Sequence, residues 1–284
     1  MRSPYVRLVG LGSFWGTSFL LIKISLDGLP PLGVALGRSV FGALTLWVFV
    51  AVGRRRVPRD ARLWGHLAVI AVFANALPFA LFAWGELHVT SAIAGVYNAT
   101  TPLFTVLSAI AALPSERATR ARLAGLALGT IGVVVVLGPW REGGTNTVLG
   151  QLACLGAGAS YGVGLVWVRK FISPRNVDVL VQTACQLTLA TLFLAVVTPF
   201  GGGRVELTAP VVAAVLALGA FGTGVALIVY NGLIRDIGAT GTSLVTFIVP
   251  VVAVALGAVA LGEPVTWNLF AGAAVVIAGV RLAR

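Results

Sequence analysis

Along this chain, apolar runs of about 18 to 22 residues alternate with short clusters rich in Gly, Pro and Arg, and that run length is what a helix needs to cross a bilayer core. Ten such runs fit, at about 5–26, 31–52, 63–84, 91–112, 122–139, 148–170, 177–199, 209–231, 240–261 and 265–282. The runs are continuous and do not alternate with period two, which excludes a transmembrane β-barrel. Connections such as GRRRVPRDAR and PSERATRAR are short, and none is long enough to form a soluble domain. The pattern predicts an all-α polytopic membrane protein with ten transmembrane helices and its chemistry inside the bilayer. The first run follows MRSPYVR, which has the look of a signal-peptide start. That run is long, however, and lacks a small-x-small cleavage site before its polar turn, so it is read as a retained helix.

Composition agrees with the pattern. The chain is 58% apolar and 10% charged, against about 25% charge in an ordinary soluble domain. A net charge of +11 could point to nucleic acid, but its placement points to topology. With the N-terminus inside, sixteen basic residues fall on the inner side: Arg2, Arg7, Arg54, Arg55, Arg56, Arg59, Arg62, Arg117, Arg120, Arg122, Arg169, Lys170, Arg175, Arg235, Arg281 and Arg284. Three fall outside, Lys23, Arg141 and Arg204, and Arg38 lies within the second run. This bias predicts two cytoplasmic termini, with the bilayer as partner and no nucleic acid. Cys154 and Cys185 lie in apolar runs without metal-ligand spacing and read as small packing residues. There is no HExxH, no GxSxG in a strand-turn-helix context and no phosphate loop, so no enzyme, metal site or cofactor is expected.

The chain also repeats itself. TSLVTFIVPVVAVALGAVALGEP (242–264) echoes AGVYNATTPLFTVLSAIAALPSE (94–116). Pro102 precedes Glu116 by fourteen residues, and Pro250 precedes Glu263 by thirteen. Gly125 and Gly132 follow Glu116 at nine and sixteen, and Gly272 and Gly279 follow Glu263 at the same spacings. Trp15-Gly16 likewise matches Tyr161-Gly162, and Lys23 matches Arg169. The period is about 147 residues, which holds five runs. Five is odd, so the second copy, 143–284, must enter the membrane from the side opposite to the first, 1–142. That is an inverted repeat, the architecture of alternating-access transporters.

Ten runs in five-plus-five repeats, with Pro and then a Gly-Glu-like helix end in runs four and nine, resemble the drug/metabolite transporter superfamily. Within it the chain is most similar to the EamA-type bacterial exporters, and specifically to the aromatic amino acid exporter branch. The resemblance covers the whole chain and implies an inner-membrane carrier that exports a small-molecule substrate, most simply as a monomer. Amino acids, aromatic or hydrophobic, are the expected substrates; a nucleotide-sugar or drug carrier of the same fold, or a lipid flippase or scaffold, is the alternative. One departure is visible: the first copy has LPSE where the second has LGEP. Small cation antiporters of the superfamily keep a carboxylate in the middle of run one, and LVGLGSFWGTSFLLI has none.

Within that frame the polar interruptions become candidates. Pro102, in GVYNATTPLFTV, and Pro250 remove a backbone donor each and read as hinges beside the substrate path, or as kinks that serve packing. Asn98, Thr101 and Thr105 share one helix face beside Tyr97, with Thr246 as the repeat-related group. They suit a small zwitterion, or simply bond neighbouring helices. Asn75, Phe79, Phe82 and Glu86 share a face of run three. Together with Trp15, Tyr161, Trp167 and Tyr230 they offer an aromatic wall, with a lipid-belt role as the alternative for any one ring. Arg38 is the one charge placed well inside a run, either functional or snorkelling. Lys23, Asp27, Glu86 and His88 cluster toward the outer face, where Glu86 and His88 could act as a gate. Glu116 and Glu263 are expected to form ion pairs at opposite surfaces. Runs one, three, four, six, eight and nine are expected to line the path, and runs five and ten to brace the halves through their glycines.

Overall fold

The computed structural model describes residues 3–114, 116–137, 147–242 and 244–283. Arg2, Arg141 and Arg284 of the charge bias, and the expected boundary between 142 and 143, lie outside the described residues. In chain order the helices are α1 (Pro4–Leu26), α2 (Pro31–Val52), α3 (Ala61–Glu86), α4 (Ser91–Ala112) and α5 (Arg120–Leu137). They continue with α6 (Val148–Arg175), α7 (Val179–Phe200), α8 (Ala209–Leu233), α9 (Val245–Leu261) and α10 (Trp267–Ala283). Seven of them, α1 to α4 and α6 to α8, are long and apolar enough to cross a membrane. The helices α9 and α10 are shorter apolar helices of 17 residues each, and α5 has 18. No strand occurs among the described residues.

Local chemistry sets the helix ends. Asp60, Thr90, Thr147 and Asp178 accept hydrogen bonds from first-turn amides and so start α3, α4, α6 and α7. Proline occupies the first turn of α1, α2 and α8, where its missing N–H costs nothing. The ninth helix is shorter than its apolar run because the chain breaks at Gly238 (φ 73°, ψ 169°) and resumes regular helix at Val245. It ends at Gly262, in the left-handed region that glycine enters freely.

The packing pairs form a pattern. Helix α1 lies on α8 and α9, and α6 lies on α3 and α4. Helix α2 packs on α7 and α8, α7 on α2 and α3, α4 on α9, and α5 on α10. Exchanging the first five helices, in order, for the last five turns this set into itself. Glycines make the close approaches possible. A Cβ on Gly16 would lie 2.5 Å from the Val252 Cβ, and one on Gly162 would lie 2.7 Å from the Phe104 backbone. Along α5 and α10, Gly125 meets Ala283, Gly132 meets Val276 and Gly279 meets Gly129, backbone against backbone.

Candidate functional site

The centre is built on two widened helical turns. Helix α3 passes through a π-turn at Val72–Ala76 and α8 through one at Ala220–Val225, with starts 148 positions apart. A π-turn shifts the backbone ladder by one residue and is a common mark of functional sites. In each, a polar side chain reaches the carbonyl five residues earlier: Asn75 Nδ2 donates to Ile70 O at 3.4 Å, and Thr223 Oγ1 donates to Leu218 O at 3.2 Å. Thr223 Oγ1 also accepts from Arg38 Nε at 2.8 Å. The Arg38 guanidinium carbon sits 4.0 Å from the centroid of the Phe79 ring. Arg38 is 9% exposed, so this charge is held inside the helix bundle and does not snorkel to a surface.

Rings surround this centre. Phe82 is buried between Phe19, at 5.4 Å between centroids, and Tyr161, at 6.3 Å. Trp15 and Tyr230 meet at 5.3 Å and join α1 to α8. Tyr97 is fully buried in the same core cluster as Phe82, but its hydroxyl donates to Gln151 Oε1 at 2.9 Å. It therefore fastens α4 to α6. Trp167 stands apart, packed on Phe171 and His66 near the far end of α6.

The two prolines occupy different local structures. Helix α4 breaks into Ser91–Asn98 and Thr101–Ala112, with Pro102 in the first turn of the second piece. Around the break, Thr100 N and Thr100 Oγ1 both donate to Tyr97 O, at 3.0 and 2.6 Å. Pro102 has no N–H to offer Asn98 O. Asn98 is half-buried with no side-chain hydrogen bond among the described residues, and Thr101 Oγ1 is buried without a partner. Pro250, in contrast, lies inside the continuous helix α9 and brings no N–H to its ladder. Thr246, half-buried, lies in the first turn of α9.

One end of the bundle is fastened by backbone capping. Glu263 accepts from Ser91 N (2.8 Å), Ala92 N (3.1 Å) and Ser91 Oγ (3.0 Å). It was expected to form an ion pair; it caps the N-terminus of α4 instead, where exposed amides and the helix dipole favour a carboxylate. Lys23 Nζ donates to Glu86 O and, at 3.0 Å, to Val89 O. Lys23, Asp27, His88 and Glu263 line a hollow of about 460 Å³. Glu86 does not share it: its side chain is fully buried, and neither carboxyl oxygen has a hydrogen-bond partner among the described residues. The expected pair of gate residues is thus divided, with His88 tilted against Trp84 at 4.5 Å and lining the hollow, and Glu86 sealed beneath.

The opposite end is held by charge. Arg122 and Arg169 both pair with Glu116, at 2.5 and 2.6 Å, while Arg55 pairs with Asp178 and Arg7 with Asp236. The hydrogen bonds from Arg122 and then Arg169 hold the Glu116 carboxyl below the usual carboxylate range. Sequence reasoning passed over Thr223 and Gln151. Thr223 carried a usable signal, since AFGTGV (220–225) repeats the form of VFANAL (72–77) one period on.

A model of the EamA-like transporter family matches residues 3–138 and again 148–284. The chain belongs to this family. The same family model thus matches twice in tandem along the chain. Among its EamA relatives is an uncharacterized transporter of Bacillus subtilis, YvbV, 28% identical over 94% of this chain and 87% of that protein. A probable amino-acid metabolite efflux pump of Salmonella typhimurium is 28% identical over 94% of this chain and 89% of that one. The uncharacterized inner membrane transporter YedA of Escherichia coli is 27% identical over 90% and 82%. A crystal structure of a protein 23% identical superposes with a TM-score of 0.67 over 97% of this chain and 94% of that chain, a likeness of fold. This EamA protein is a multi-pass membrane protein, and its relatives are transporters and efflux pumps rather than enzymes.

Proposed function

We propose that this EamA protein exports small organic solutes by alternating access across a bacterial inner membrane, with amino acids, aromatic or hydrophobic, as the preferred class. The observation that carries the reading is the centre between the halves. Phe79, Phe82 and Tyr161 supply apolar walls, and Arg38 and Thr223 supply fixed polar groups from opposite halves. A mostly apolar pocket with a few convergent polar groups is the usual form of a small-molecule site. Trp15 and Tyr230 extend the wall, and Asn98, Thr101 and Thr246 add dipoles without charge. The Salmonella relative named as an amino-acid metabolite efflux pump supports the substrate class.

In this reading the ten helices form two inverted five-helix halves. The self-exchanging packing pairs, the paired π-turns and the tandem family match support it. The end bearing the arginine ion pairs faces the cytoplasm with both termini, in keeping with the basic bias. Cytoplasm-only reporters fused to either terminus are expected to be active. Counterflow of labelled amino acids in liposomes holding the purified protein tests the function. Accumulation of labelled phenylalanine or leucine against unlabelled internal pools is expected, and flux equal to that of empty liposomes for every amino acid would refute it.

A further inference from the structure

We propose that Arg38 is the anchor for a carboxylate on the transported solute, so that the carried class is organic monoanions and zwitterions bearing that group. The inference rests on the solute-transport reading and names its substrate chemistry. A guanidinium in the interior of a membrane protein is costly and needs a partner. Among the described residues Arg38 has no ion pair: the ion pairs found involve Arg7, Arg55, Arg122 and Arg169. Its only hydrogen bond among the described residues is through Nε to Thr223.

The remaining geometry is that of an open fork. One face of the guanidinium is taken by Phe79 and the Nε edge by Thr223. Among the described residues the two terminal nitrogens have no hydrogen-bond partner, and they keep some surface open to solvent. Their N–H groups lie in one plane at the spacing that receives a carboxylate through two parallel bonds. The fork is also held in place. Thr223 gives its proton to Leu218 O at the π-turn, so its lone pair stays directed at Arg38, while the Phe79 ring fixes the plane.

Charge balance narrows the ligand. Glu86 and Tyr161 are the acidic groups in electrostatic reach of Arg38, but neither makes a hydrogen bond with it. Lys23 is committed to the carbonyls of Glu86 and Val89. The position 148 residues beyond Arg38, the offset between the π-turns, is Gln186, which is neutral. Arg38 is thus the cation that faces Phe79 and Thr223 at the centre, and its single fork fits one carboxylate.

The test uses matched pairs as competitors of counterflow in proteoliposomes: phenylalanine with phenylalaninamide, leucine with leucinamide, and 3-phenylpropanoate with 3-phenylpropanamide. Each acid is expected to compete at least about ten-fold better than its amide, and 3-phenylpropanoate to compete although it has no ammonium. Arg38→Lys, which keeps the charge and loses the fork, is expected to narrow the gap to about three-fold, and Arg38→Gln to abolish it. Amides that compete as well as acids with the unaltered protein overturn the assignment while leaving solute transport standing. So does a folded Arg38→Gln protein that keeps the preference. If no acid, amide, amine or neutral solute moves at all, the transport reading falls and this assignment with it.

Discussion

Asn75 and Thr223, 148 positions apart, each bond to the carbonyl five residues earlier in their own helix, at Ile70 and Leu218. The two bonds are equivalent in place and unequal in duty. Thr223 also receives Arg38, whereas the Asn75 bond is long at 3.4 Å. Thr223→Val keeps the shape and removes both bonds, leaving Arg38 Nε and Leu218 O without partners. A loss of about 1–3 kcal/mol is expected, read as a lowered midpoint of unfolding in detergent. Thr223→Ser is expected to restore most of it, and Asn75→Leu to cost less than Thr223→Val.

Glu263 closes its end of the molecule by capping α4, and the cap spans the two halves. Glu263→Ala is expected to cost about 1–2 kcal/mol, in the range of a lost N-cap. It is also expected to loosen that end. A cysteine placed at Ser91 should react faster with a membrane-impermeant thiol reagent in the Glu263→Ala background than with Glu263 intact. Equal rates would show that the cap does not hold the end shut.

Glu116 gives a pH signature at the other end. Its carboxyl is lowered by Arg122 and Arg169, so the native state binds fewer protons there than the unfolded chain. The stabilisation is fully present above the ordinary carboxylate value and is lost as pH falls through the lowered one. Glu116→Gln is expected to melt earlier than the unaltered protein at pH 7, with the difference shrinking over roughly pH 5 to 3. A difference that stays constant across that window would refute the linkage.

The prolines are expected to behave unequally. Pro102 sits in the first turn of a helix piece, where alanine is also accommodated, and the break at Ala99–Thr100 has its own Thr100 bonds to Tyr97 O. Pro250 lies inside a continuous helix, so Pro250→Ala returns an N–H to its ladder, removes the ring and straightens α9. Flux is expected to fall more in Pro250→Ala than in Pro102→Ala at matched abundance. The reverse order would place the hinge at the α4 break.

The helices were legible because bilayer thickness imposes run length, and the repeat was legible because its marks are Pro and Gly at fixed spacings. What escaped was depth. Glu86 looked like a surface gate because it ends its helix, but sequence position along a helix does not say what covers the end. Here Gly150 lets α6 come up against His88 and Gly85, and the Glu86 carboxyl is sealed below. Tyr97 read as a pocket wall because local pattern shows an aromatic among polar residues. Its partner, Gln151, lies 54 residues away. The π-turns left only a faint trace, since an extra residue in a helical turn shifts the apolar period by less than the pattern's own scatter.

The glycine seams of α1 and α6 have the same shape and different chemistry. Gly158 receives Thr100 and Thr101, hydroxyl groups of which Thr101 Oγ1 has no partner, whereas its counterpart Gly12 receives the methyl groups of Ile248. Hydroxyls can release one acceptor and take another as helices slide, whereas methyls only keep or lose contact. The molecule thus has two seams cut to one template, one faced by hydroxyls and one by methyls.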